Sequence, residues 1–131
     1  EAERRRAEAM RPDPRVPRSV TEPWGVEVIR VASTADGFWL DFRFRVTDAE
    51  KALPLFDSRI KPYLESEQTG VRLAVPSAAK VGALRTTNRG QNIQADKIYT
   101  IMFANPGAQV KPGQRVSIVI GDFKVEHLTV N

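Results

Sequence analysis

The stretch GFWLDFRFRV (residues 37–46) alternates strictly enough to read as a β-strand. Phe38, Leu40, Phe42, Phe44 and Val46 fall on one face, and Trp39, Asp41, Arg43 and Arg45 on the other. The first face belongs in a core. The second carries an indole, a carboxylate and two guanidiniums along about 20 Å at the ~3.3 Å rise of a strand, a width that suits a hot-spot cluster in a standard interface. Trp and Arg are enriched in such clusters because they join large contact area to directional bonding. The plainer reading is a solvated face on which Asp41 pairs with Arg43 and the arm covers Trp39.

Working outward, WGVEVIRVAS (24–33) is rich in Val and Ile, and STADG (33–37) supplies turn residues, so the first two strands form a hairpin. In TDAEKALPLF (47–56), Thr47 or Asp48 caps one helical turn carrying Ala49, Ala52 and Leu53 before Pro54 ends it. KPYLESEQTGVRLAVP (61–76) reads as a second hairpin. Residues 76–96 form a long, weakly periodic loop around Val81 and Leu84, with Lys80, Arg85 and Arg89 as its basic residues and Lys97 directly after it. KIYTIMFANP (97–106) is apolar on both faces, the pattern of a central or doubly covered strand. In the last stretch, residues 110–130, Pro112-Gly113 suits a type II turn, and Gly121-Asp122 a bulge or bend where the chain shifts sheet.

Seven or eight short strands without βαβ alternation point to an all-β fold, an antiparallel immunoglobulin-like β-sandwich with one short helical turn and an extended N-terminal arm. A small closed barrel is the alternative. The expected core joins Phe38, Leu40, Phe42, Phe44, Ile101, Phe103, Val116, Ile118 and Ile120. Residues 1–23 form a Pro/Arg-rich arm and residues 24–131 the domain. Pro12, Pro14, Pro17 and Pro23 push the arm toward extended geometry, and its six arginines nearly cancel against five acids. Its low apolar content predicts little contribution to the fold.

The 131 residues suffice for one core without disulfides or a structural metal. A hydrophobic fraction of 41% and a charged fraction of 27% are ordinary globular values, and no segment is apolar for long enough to suggest a membrane span. A net charge of +4 serves solubility and falls short of a nucleic-acid footprint.

The absence of cysteine removes thiol catalysis and thiolate metal sites. One histidine, His127, lies on the last expected strand, where its plainer reading is a half-exposed strand residue. A triad role needs a nearby Ser and carboxylate that no local motif marks. Phosphate-loop, dinucleotide and paired-histidine motifs are missing. Asp41, Asp57, Asp96 and Asp122 read as turn or ion-pair residues, and no calcium loop is present. No enzymatic activity, cofactor or metal is therefore expected.

PLFD (54–57), KPYL (61–64), FANPG (103–107) and VKPGQRVSIVIGDF (110–123) resemble uncharacterised exported bacterial domains with a β-sandwich reading. The resemblance runs from about residue 25 to the C-terminus and implies fold and export, with no functional residue to carry over. A chain starting at Glu1 agrees with a removed signal peptide, so a periplasmic or extracellular location is expected. The function expected is that of a non-enzymatic exported interaction module, an accessory subunit or assembly factor. Another protein would bind through the arm and the Trp39 face, with Trp39, Arg43, Arg45, Arg85 and Arg89 as contact residues. The alternative is a small-ligand or carbohydrate-binding domain that stacks its ligand on Trp39, Tyr63 or Tyr99.

Overall fold

The computed structural model describes residues 11–76, 85 and 92–131. Among them, two small antiparallel sheets enclose one core. The first has strand order β1-β2-β5, with β1 at Val26–Thr34, β2 at Trp39–Val46 and β5 at Ile98–Ala104. The second has order β4-β3-β6-β7, with β3 at Tyr63–Ser66, β4 at Arg72–Ala74, β6 at Arg115–Ile120 and β7 at Phe123–Thr129. The alternation of residues 37–46 sets the register of the first sheet: Phe44 lies opposite Val28 and Tyr99, and Phe42 opposite Val31 and Ile101. These residues meet Leu64, Val116, Ile118, Phe123 and Val125 of the second sheet in the core. Phe42, Phe44, Tyr99 and Phe56 form an aromatic cluster with centroid separations of 4.9 to 6.2 Å, in which Phe42 stacks on Phe44 and Phe56 meets Tyr99 edge-on.

The all-β immunoglobulin-like sandwich expected from the sequence is not what forms. Helical segments of seven and eight residues, at 18–24 and 49–56, stand beside the sheets of three and four strands. The first consists of α1 (Arg18–Thr21) and a 3₁₀ turn, Glu22–Trp24, and it occupies what reads as extended arm. The prolines mislead here because proline is compatible with the first turn of a helix. Pro17 is the N-cap of α1 and Pro23 opens the 3₁₀ turn. Burial then stabilises a segment too short to be helical alone: Val16, Val20 and Trp24 pack on the core, and Trp24 meets Phe123 edge-on at 5.8 Å.

The second segment starts as the sequence indicates. Asp48 caps α2 (Ala49–Ala52) by accepting the Glu50 and Lys51 N–H groups. Pro54 does not end it, since it lies in the first turn of a 3₁₀ continuation, Leu53–Phe56, which carries Leu55 and Phe56 into the core. Gly25 ties the two segments together. Its φ of 62° reverses the chain after Trp24, its carbonyl accepts the Thr47 and Asp48 N–H groups, and an added Cβ would stand 2.5 Å from the Asp48 oxygen.

Three smaller expectations also change. Phe38 is 54% exposed at the tip of the first hairpin and is no core residue. Among the described residues β5 ends the order of its sheet and makes a further bridge from Ile101 to Arg85. Gly121-Asp122 is a two-residue hairpin turn within one sheet, and the bulge lies further along, where β7 passes Ser117 with His127 at φ 60°.

Candidate protein-contact surface

Pairing places Trp39, Asp41, Arg43 and Arg45 of β2 between two rows on the outer face of the first sheet. Thr34, Ala32, Arg30 and Glu27 of β1 lie on one side, and Ala104, Met102, Thr100 and Ile98 of β5 on the other. Trp39, Arg43, Arg45, Ile98 and Met102 are half-buried. Arg43 folds along its own strand onto Asp41, with Nη2 3.1 Å from Oδ2, and Arg45 lies 3.6 Å from Glu27 across the strand pair. The structure thus brings together Trp39, Arg43 and Arg45, much of whose charge is engaged by neighbouring acids.

At the end of this face the hairpin tip is unusually fixed. Ala35 and Asp36 adopt left-handed backbone at φ 52° and 57°, as does Ala108 at 51° in the neighbouring 3₁₀ turn. Such geometry costs L-residues about 1–2 kcal/mol each and persists only where surroundings impose it. Asn105 imposes it. The Asn105 side chain is fully buried, donates to the carbonyls of Gly37 and Val110, and accepts the Val110 N–H, while its backbone N–H donates to the Phe38 carbonyl. The tip therefore holds Phe38 in solvent beside Trp39.

The remaining candidates lie elsewhere. Arg85 is 5% exposed, and its guanidinium donates to the carbonyls of Leu55, Asp57 and Ile60 at 2.9 to 3.2 Å. It braces the bend after the second helical segment and is not a surface group. Burial lowers its pKa, against an opposing pull from the Asp57 carboxylate. Arg89, Lys80, Val81 and Leu84 lie outside the described residues. Tyr99 is buried, and its hydroxyl accepts the Gln94 N–H. The Tyr63 ring is covered by Arg72 at 4.5 Å. Of the three aromatic candidates, Trp39 is the one on the open sheet face.

His127 does acquire a Ser and a carboxylate as neighbours, but in the wrong order for a triad. Glu67 sits between them. One Glu67 oxygen accepts the His127 backbone N–H at 2.7 Å and the Ser117 hydroxyl at 3.3 Å, and the carboxylate also contacts the His127 ring nitrogen Nδ1 at 2.9 to 3.1 Å. The Ser117 hydroxyl donates its hydrogen bond to the carboxylate and not to the His127 ring, so the cluster pins the β7 bulge. Burial raises the Glu67 pKa, but the bonds and charge of His127 and the Ser117 hydroxyl together outweigh it and leave the carboxyl below its usual range.

Sequence reasoning missed Asn105 and Arg30. FANPG reads as turn chemistry, yet its Asn fixes the tip. Comparison with protein-family models, with curated proteins and with solved structures finds no match to this chain.

Proposed function

We propose that this domain is a non-enzymatic protein-interaction module, an accessory subunit or assembly factor. It docks on its partner through the outer face of the first sheet and the Phe38–Trp39 tip. One observation carries the reading: a phenylalanine that is 54% exposed stands on a hairpin tip where a fully buried asparagine bonds the carbonyls of Gly37 and Phe38. A flexible exposed aromatic loses entropy when it binds, whereas a preorganised one does not. Met102 and Ala104 continue the apolar surface beside Trp39. The positions of Tyr63 and Tyr99 favour a protein contact over a stacked sugar. The wiring of Ser117, Glu67 and His127 favours a binding role over hydrolysis. Export rests on the resemblance alone.

Photocrosslinking tests the reading. p-Benzoylphenylalanine placed at Phe38 should give a discrete adduct in the source cells, and the same residue at Glu126, exposed on the second sheet, should not. No adduct from position 38, or the same adducts from both positions, overturns it.

A further inference from the structure

The partner's chemistry can be read from the cleft beside the β1 bulge. Val28 pairs with Phe44 and Arg30 with Arg43, so Ile29 is the extra residue, and Arg30 stands directly opposite Arg43. Like charges at such positions repel unless an anion lies near. Arg43 is taken by Asp41. The cleft beside Arg30 is walled by residues 11–15, whose backbone meets β1 through the Asp13 N–H and the Val28 carbonyl, and by Asn131. In it Arg15 is held by Asp13 at 3.1 Å and reaches Thr129 at 3.4 Å. The guanidiniums of Arg11 and Arg30 have no hydrogen-bond or ion-pair partner among the described residues. Ile29, which lines the same cleft, is 5% exposed and outside the shared core.

We propose that this cleft receives an acidic segment of the partner protein, with carboxylates on the guanidiniums of Arg11 and Arg30. The inference rests on the reading of the domain as an interaction module. Guanidinium groups match carboxylates with two parallel hydrogen bonds. Asp13, Asp41 and Glu27 break up the arginines around the cleft. A nucleic-acid backbone gains most from an unbroken cationic row, whereas a peptide can present isolated carboxylates with apolar residues between them. Trp39 lies four residues along β2 from Arg43, about 13 Å away at the rise of a strand, so one partner can cover the cleft and the tip together.

The test uses the full chain and a fluorescein-labelled oligoglutamate peptide, followed by fluorescence anisotropy at low and physiological salt. Saturable, salt-sensitive binding is expected. The Arg11→Glu, Arg30→Glu double variant should weaken it about tenfold or more. Arg72→Glu, a charge reversal on the second sheet, should leave it near parental. Unchanged melting temperatures establish that the variants fold, and Arg30→Ala gives a milder second reading of the same site. Parental affinity in the double variant, equal loss in Arg72→Glu, or equal competition by oligothymidylate or inorganic phosphate overturns the proposal. The two readings fail separately. A Phe38 adduct without oligoglutamate binding overturns the cleft alone, and oligoglutamate binding without the adduct overturns the tip as the docking site.

Discussion

At Asn105 the amide nitrogen faces two carbonyls, of Gly37 at 2.7 Å and Val110 at 2.8 Å, while the amide oxygen takes the Val110 N–H at 3.1 Å. Removing the amide leaves three backbone groups without partners, two of them buried and the third part-buried, so Asn105→Ala should cost about 2–4 kcal/mol in urea unfolding. Asn105→Asp should not rescue it, because a carboxylate would face two carbonyls. Asp57 is a different kind of residue, half-buried and paired. The hydrogen bonds from the Arg59 side chain and backbone hold its pKa at about 2, down from 3.8. A depressed carboxyl stabilises the fold above its unfolded pKa and loses that contribution as pH falls through its folded one. The parent should therefore lose melting temperature between about pH 4 and pH 2 more steeply than Asp57→Asn. Equal slopes in the two chains would show that Arg59 does not hold the carboxylate in solution.

Among the elements, those with a period were legible and those fixed by tertiary contact were not. Residues 37–46 declare both faces of β2, and the pairing follows the hairpins read from STADG and from the Ser-Glu-Gln-Thr-Gly bend. The alternation misleads only at Phe38, where the Asn105 lock ends the strand's inward sequence one residue early. The segment 18–24 has no readable helical period because α1 is only four residues long and has a proline at its N-cap. Its stability comes from burial of Val16, Val20 and Trp24, none of which the local sequence marks as core. Of the site, Trp39, Arg43 and Arg45 were legible from period 2. Arg30 was not, because the bulge at Ile29 breaks the period that would have placed it. The arm is thus partly integral to the fold, contrary to its low apolar content. Trp24→Ala, which removes the edge-on contact with Phe123, should destabilise the domain by about 2–4 kcal/mol, measured by denaturant titration. A change within about 0.5 kcal/mol, the range of ordinary surface substitutions, would show that the contact with Phe123 does not hold the 18–24 segment on the core.

Across the whole molecule, two sheets that share a core must also deal with their edges, and β1 shows how. Its outer edge faces away from β2 and would otherwise present free backbone groups, the feature through which sheets pair with foreign strands. Two separate parts of the chain close it. The Asp13 N–H donates to the Val28 carbonyl, while Asn131 donates to the Val31 carbonyl and accepts the Ser33 N–H. Val130 adds a parallel bridge to Val31. The second sheet is thereby joined to the first just beyond β7, and the proposed cleft lies in the gap between these closures, at the bulge. Shortening the chain by Val130 and Asn131 should consequently do two things. It should lower the melting temperature, since Val130 is 1% exposed and belongs to the core cluster. It should also uncover the Val31 carbonyl and the Ser33 N–H, so that light scattering and size-exclusion chromatography detect concentration-dependent association absent from the parent. A destabilising change away from this edge, such as Trp24→Ala, controls for association through unfolding, and the two chains are compared at temperatures giving equal folded fractions. If both associate equally there, closure of the β1 edge is not what keeps the chains apart.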